Sequence, residues 1–252
     1  MRVVYGMNPV RELLRSGAEG LAELWLAEGG DRVRAFAELE RAARDAGAKV
    51  RTAPRPRLDR LAGTPQHQGV VAVVADYRYR EVEEILAAAP ASGRPPLVVL
   101  LDGVEDPGNL GAIVRSAHAL GAHGVVVPRD RAAAVTPAAA KASAGAIEHV
   151  PVARVTNLVR CLEELKEAGL WSVALVPDGD RDLAGVDMVG PTALVVGGEG
   201  QGVRPLVRKT CDHRARIPMQ GRVGSLNASA AAAIALYEAA RQRGEKPAKI
   251  LP

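Results

Sequence analysis

The order of apolar and amphipathic segments predicts an α/β protein in two units, the larger built on a parallel sheet. Three observations carry this expectation. Short apolar runs bounded by Gly, Pro and charged residues alternate with runs of helical periodicity. From Pro96 onward, strand and helix follow one another in turn, as parallel strands require. Between them, residues 76–95 (DYRYREVEEILAAAPASGRP) mix charge, one short helix and a Pro/Gly/Ser end, the composition of a linker. The expected organisation is a small α/β unit over 1–75, a linker over 76–95 and the larger unit over 96–252.

In the small unit, residues 3–5 (VVY) and 21–27 (LAELWLA) are read as strands. Residues 9–15 form a short helix, with Asn8 as its cap and Pro9 at its first position. Residues 31–46 place Val33, Phe36, Leu39 and Ala43 on one helical face. Strands follow at 49–52 and 69–75. In the larger unit, LVVLLDG (97–103) is a buried strand and 109–120 a helix. Residues 124–128 are a strand, and 157–168 a helix that Thr156 can cap. Strands at 170–176, 192–197 and 215–218 precede a long Ala-rich helix over 225–241, with Ser225 at the cap position. Ligands of such sheets sit beyond the carboxyl ends of strands. The loops 102–109, 177–182, 197–204 and 218–225 are therefore where a site is expected.

Composition narrows the class. With 252 residues, 48% hydrophobic, 25% charged and a net charge of +4, the chain is globular rather than disordered. It has no apolar run of about 18 residues that would span a membrane. The opening MRVVYGMNPVREL has no secretory h-region. Two distant cysteines, Cys161 and Cys211, exclude a disulfide framework and a CxxC site, so a cytoplasmic setting with reduced thiols is expected. The basic residues are 27 Arg and 6 Lys. Arginine's planar fork suits phosphate, which raises nucleic acid as a partner; a biased genome, which the abundant Ala also suggests, gives the same count. The densest basic run is Lys49, Arg51, Arg55, Arg57 and Arg60, opposed only by Asp59. It reads either as a solvated face or as a phosphate-facing patch that positions RNA. Aromatics are 3% of the chain, so a base-stacking platform is not expected.

Several chemistries are excluded by spacing. Residues 103–108 (GVEDPG) lack the Lys and hydroxyl of a phosphate loop. GGEGQGV (197–203) does not satisfy GxGxxG, which disfavours a dinucleotide site. HExxH and GxSxG are absent. Three loops remain. The first, 101–122, joins a strand to a helix through three glycines and a proline, and carries Asn109 and Arg115. Asn109 can equally be a plain helix cap, and Arg115 a surface cation. The second, 193–206, surrounds Glu199 with glycines, as a backbone that must approach something closely would. The third, 217–241, carries Ser225 and Asn227 ahead of an Ala-rich helix.

In this order, DPGNLGAIVRSA, LVVGGEGQGV and IPMQGRVGSLNASAAAAIALYE resemble the three motifs of the SpoU (TrmH-like) branch of the SPOUT RNA methyltransferases. YGMNPVRELL and HQGVVA are similar to the substrate-binding domain of the bacterial 23S rRNA guanosine 2′-O-methyltransferase subgroup. Gly224 departs from that pattern, since a Ser often precedes SLN there. The resemblance implies a ribosomal-protein-like α/β amino domain and a trefoil knot in the parallel-sheet catalytic domain. It implies S-adenosylmethionine as cofactor, no metal, and a homodimer acting on 23S rRNA. Carried over position by position, it places the cofactor against Gly197, Gly198, Ile217, Ser225 and Leu226. Asn109, Arg115, Glu199, Ser225 and Asn227 fall on catalytic positions. Arg115 is expected to stabilise developing alkoxide charge or hold the adjacent phosphate, because a guanidinium stays protonated. Glu199 is expected to orient Arg115 or a polar group of the donor, and the two asparagines to fix loop and ribose geometry. Arg51, Arg55, Arg57 and Arg60 become candidate RNA contacts. A tRNA ribose methyltransferase shares this catalytic pattern, and a non-catalytic RNA-binding relative would have lost it.

Overall fold

The computed structural model describes residues 1–29, 33–222 and 224–244. Its first sheet has four strands, β1 (Arg2–Tyr5), β2 (Leu21–Ala27), β3 (Lys49–Ala53) and β4 (Val70–Val74), in the order β1-β4-β2-β3. β4 runs antiparallel to both neighbours, while β2 and β3 are parallel. Helices α1 (Met7–Arg15), α2 (Val33–Asp45) and α3 (Arg55–Ala62) cover it. The start of the helix expected from Asp31 lies outside the described residues. One core holds Val10, Leu13, Leu24 and Leu39; a smaller one on the other face holds Leu58 of α3.

Two details of this unit follow from the HQG segment. Gln68, at φ 58°, accepts from the Met7 main-chain N–H at 3.0 Å and so caps α1 from a distant part of the chain. Asn8, expected as the cap, lies inside the helix; Gly6, with φ 95°, occupies the cap position instead. Pro9 is tolerated because a first-turn residue needs no N–H partner. His67 is fully buried. Its Nδ1 accepts from the Gly69 N–H at 2.9 Å, so Nε2 carries the proton and donates to Asp59 at 2.8 Å. That bond ties α3 to the turn before β4.

The second sheet has seven strands, every pair parallel, in the order β7-β6-β5-β10-β8-β11-β9. These are β5 (Leu97–Asp102), β6 (Gly124–Pro128), β7 (Val152–Val155), β8 (Trp171–Leu175), β9 (Arg181–Asp182), β10 (Thr192–Gly197) and β11 (His213–Arg216). The helices are α4 (Val82–Ala88), α5 (Pro107–Ala119), α6 (Pro137–Ala142), α7 (Leu158–Glu167), α8 (Pro205–Thr210) and α9 (Ala228–Gln242). Alternation along β5 feeds both faces. Leu97, Val99 and Leu101 pack with α5, α6 and α9; Val98 and Leu100 pack with α4, α7 and α8. Gly111 is required where α5 crosses α6, since a Cβ there would lie 2.4 Å from the Ala139 carbonyl oxygen.

Three caps differ from the expected residues. Asp106, not Asn109, caps α5 through the N–H groups of Gly108 and Asn109. Asn157, not Thr156, caps α7, accepting from Val159 at 3.0 Å and Arg160 at 3.2 Å. Asn227, not Ser225, caps α9. The sequence pattern also passes over α3, α6, α8, β7 and β9. α3 is hidden by Pro54, Pro56 and three arginines, and α6 is an Ala run with no apolar stripe.

Residues 76–95 lie against the second sheet. Tyr77 and Tyr79 accept from the N–H groups of Val152 (3.1 Å) and Val135 (2.9 Å), and Val82 and Ile85 are buried. The two sheets' elements meet along β1, α1 and the stretch 137–149. Arg2 pairs with Glu148 at 2.8 Å, both side chains nearly buried. Glu12 meets His149 at 2.9 Å, and the His149 ring stacks on His118 of α5. No helix among the described residues is long and apolar enough to cross a membrane.

Candidate active site

The carboxyl ends of β5, β8, β10 and β11 leave their following loops side by side, and two cavities open there. Asn227 sits at the junction because its side chain caps α9, accepting from Ser229 N at 2.9 Å and Ala230 N at 3.3 Å. Its Nδ2 is then free to donate outward, to Asn109 Oδ1 at 3.0 Å and Glu199 Oε1 at 3.1 Å. Asn109, held in the first turn of α5 by the Asp106 cap, donates its own Nδ2 to the same Glu199 oxygen at 2.5 Å. Three residues from three distant loops therefore form one closed hydrogen-bonded triad. Both amides converge on Oε1, and no hydrogen bond to Oε2 occurs among the described residues.

Glu199 is held in place by backbone. Gly198 donates to the Asp102 carbonyl at 2.8 Å, and Gly202 donates back to Gly198 at 3.1 Å. A Cβ on Gly198 would lie 1.7 Å from the Gly103 oxygen, and one on Gly197 would lie 2.2 Å from the Gly202 carbonyl carbon. These glycines are required first by the protein's own backbone. Asp102, at the end of β5, has no exposed surface. Its carboxylate accepts from Arg204 N at 2.7 Å and from Arg204 Nε at 2.6 Å, which fixes the far end of the same loop. Sequence reasoning missed this pair. The available signal was a charge ending an otherwise apolar run, LVVLLD.

The first cavity has a volume of about 570 Å³ and is walled by Leu175–Pro177, Val196–Gly202, Ile217, Met219 and Gly224–Ala228. Gly197, Gly198, Ile217, Ser225 and Leu226, the residues assigned to the cofactor from sequence, all line it. Ser225 is exposed on this wall. Leu226 and Met219 turn large apolar surface, 40% and 37% exposed, into the space. Flanking strand-end backbone supplies polar groups. A volume of roughly 300–1,000 Å³ with apolar walls and few polar groups is the usual form of a cofactor site. The second cavity, about 560 Å³, lies on the other side of Glu199, between residues 102–109, 128–131 and 198–204.

Arg115 is not part of the triad. It is exposed on α5, six residues after Asn109 and so off its face, with no hydrogen-bond or ion-pair partner among the described residues. Arg51, Arg55, Arg57 and Arg60 lie on β3 and α3 of the other sheet, all exposed. Arg51 pairs with Glu23 at 3.2 Å, and Arg51 and Arg57 both approach the Trp25 ring, at 5.4 and 5.6 Å. Among the described residues no cluster of three or more His, Cys, Asp or Glu could hold a metal ion.

A family profile described as "SpoU rRNA Methylase family" matches residues 96–237, and one described as "RNA 2'-O ribose methyltransferase substrate binding" matches residues 3–80. YacO of Bacillus subtilis, named as a TrmH family tRNA/rRNA methyltransferase, is 47% identical over 240 residues, 95% of each chain. The SpoU methyltransferase AviRb of Streptomyces viridochromogenes, solved with AdoMet, superposes with a TM-score of 0.80 at 31% identity, covering 96% of this chain and 89% of that one. An AdoMet-bound rRNA methyltransferase of Sinorhizobium meliloti gives 0.78 at 26% identity, covering 95% and 87%.

Proposed function

The chain belongs to the SpoU methylase family and is an S-adenosylmethionine-dependent RNA methyltransferase; from that premise we propose that it methylates a ribose 2′-hydroxyl of a guanosine in 23S rRNA. The observation that carries this reading is the joining, in one chain, of the substrate-binding match over 3–80 to a complete Asn109–Glu199–Asn227 triad. Similarity at full length to an enzyme named for rRNA supports the choice of substrate. A division into an RNA-binding domain over 1–75, a linker over 76–95 and a catalytic domain over 96–252 belongs to this reading. Support comes from the two sheets, which fall within 2–74 and 97–216. A cytoplasmic setting belongs to it as well, and both cysteines are free thiols.

When bound, the cofactor supplies a methyl group already activated on a sulfonium. The chain's part is to orient and to exclude water. Leu226, Met219 and Ile217 give the first cavity its apolar walls, and the backbone of Gly197 and Gly198 lines its floor. Asn109 and Asn227 hold the Glu199 carboxylate between the two cavities. Arg115, exposed on α5 and outside the triad, keeps in this reading its expected role of stabilising alkoxide charge or holding the adjacent phosphate, in a chain that acts as a homodimer. Ile234 and Tyr237, 40% and 61% exposed on the neighbouring α9, offer apolar area for such a homodimer. The trefoil knot that the resemblance implies is part of the proposal, and it rests on the match to the family.

The test is to incubate the protein with methyl-labelled S-adenosylmethionine and either unmodified 23S rRNA or bulk tRNA, then digest the RNA. Labelled 2′-O-methylguanosine from rRNA alone is the expected result. Label in tRNA alone would move the enzyme to the tRNA class.

A further inference from the structure

We infer that Arg2 and Glu148 are positioning residues: their buried pair fixes the amino-terminal unit on the catalytic unit, so that RNA held by the first meets the triad at one set span. The inference rests on the ribose-methylating reading above and adds how a single nucleotide is selected. The buried apolar clusters of the two sheets share no residue, so no common core joins the units. Their seam is polar. The Arg2 and Glu148 side chains are 13% and 9% exposed and meet at 2.8 Å, from positions 146 apart in sequence. Arg2 Nε, Arg2 Nη1 and Glu148 Oε1 are buried without a hydrogen-bond partner among the described residues. A buried pair satisfied this incompletely is a poor source of stability, because desolvation offsets much of the attraction. What it supplies is geometry. Apolar side chains can slide past one another, whereas two opposite charges buried in a seam have one mutual register.

The rest of the seam holds that same register. Gln68 Oε1, which caps α1, also accepts from Lys141 Nζ of α6 at 3.3 Å. Gly145, at φ 95°, lies against α1, where a Cβ would stand 2.6 Å from the Glu12 Cβ and 3.1 Å from the Pro9 Cα. Glu12 in turn meets His149 at 2.9 Å. These contacts lie on β1, on α1 and in the turn before β4, so rotation about any one of them breaks the others. The connecting segment is pinned at the same place. The Arg2 guanidinium lies 5.4 Å from the centre of the Tyr77 ring, whose hydroxyl accepts from the Val152 N–H at the start of β7. Arg2–Glu148 is more deeply buried than Glu12–His149, and the pair between the Met1 amino group and Asp76 is exposed and contributes little. A fixed span matters because a reacting group misplaced by about 1 Å can cost roughly 10²-fold in rate.

Arg2→Glu and Glu148→Arg each place two like charges in the seam, and the double variant restores the pair with its signs exchanged. By calorimetry each single variant should bind S-adenosylhomocysteine with unchanged stoichiometry and a Kd within about 3-fold of wild type, and by filter binding 23S rRNA within about 3-fold. Single-turnover transfer should nevertheless fall roughly 10–10²-fold, and the methyl groups mapped on the rRNA should spread from one nucleotide to its neighbours. Glu148→Gln, which keeps an acceptor and loses the charge, should show the same pattern at a smaller size. Small-angle scattering should give a larger radius of gyration for the charge reversals. The double variant should recover the wild-type dimensions and most of the rate. Three outcomes overturn the inference. They are charge reversals that transfer within about 3-fold of wild type, losses of donor or rRNA binding that match the loss of rate (a structural role), or a double variant no faster than the singles. A wild-type chain that labels no ribose removes the underlying reading and the inference with it, whereas failure in the variants alone leaves that reading standing.

Discussion

Asp102 is a charge with no exposed surface, and its contacts lead into the loop that carries Glu199. Its carboxylate holds Arg204 at the loop's far end, and its carbonyl holds Gly198 at the near end. Asp102→Asn keeps the shape and loses the ion pair. It should cost about 2 kcal/mol, the scale of a hydrogen bond to a charged group. Because Gly198, Glu199, Gln201 and Gly202 line both cavities, donor affinity and turnover should fall together; thermal unfolding and calorimetry check this. Gly198→Ala should be harsher, since its Cβ would press on the Gly103 oxygen and displace the loop. Asn109, Glu199 and Asn227 were legible as candidates from residue type and motif order. Their convergence on one oxygen was not, because it depends on three loops far apart in sequence. The partner of the charge that ends LVVLLD was hidden for the same reason, since Arg204 lies 102 residues further on.

At the scale of elements, β5, β6, β8 and β10 were legible because their apolar runs are bounded by Gly and Pro; β7 and β9, only 4 and 2 residues long, were not. Nor were the caps. Thr156 stands beside Asn157, and Ser225 two residues before Asn227, so local chemistry offers two competent caps each time. Tertiary contact selects between them: Asn227 caps α9 while its amide serves the triad. Contact between elements also sets a pH dependence. His118 on α5 stacks on His149, which bonds Glu12 of α1. Burial, and then the neighbouring His149, lowers the His118 pKa below its usual value. The folded state therefore holds its proton more weakly than the unfolded chain. The associated stability is complete above the unfolded value of about 6.5 and is lost as pH falls through the lower folded value. The unfolding midpoint should drop less for His118→Asn than for wild type between about pH 7.5 and pH 5.5. Equal drops would show that this stack does not titrate.

At the scale of the whole molecule, the expected parallel sheet is present, but its strand order was beyond sequence pattern. Nothing local in Thr192–Gly197 says that it lies between β5 and β8. The placement of the basic run is likewise a global matter. Arg51, Arg55, Arg57 and Arg60 stand on the other sheet from the triad, so their contribution should separate from chemistry. Replacing all four by Gln should weaken rRNA binding and leave donor binding unchanged. The slope of log affinity against log salt should become shallower by about 0.7 for each single-strand phosphate that the variant no longer neutralises. An unaltered slope would assign the run to solvent.

The late arrival of β10 has a consequence for synthesis. A ribosome making this chain lays down β5 and β8 well before the strand that separates them. Until residues 192–197 emerge, the nascent sheet has a vacant slot flanked by the apolar edges of Leu97–Leu101 and Val173–Leu175. The walls of the first cavity contributed by Ile217, Met219 and Leu226 come later still. A chain stopped before Thr192 thus has neither a filled sheet nor the complete first cavity. Truncated products should therefore be inert and leave apolar strand edges exposed, which a dye that binds apolar surface would report.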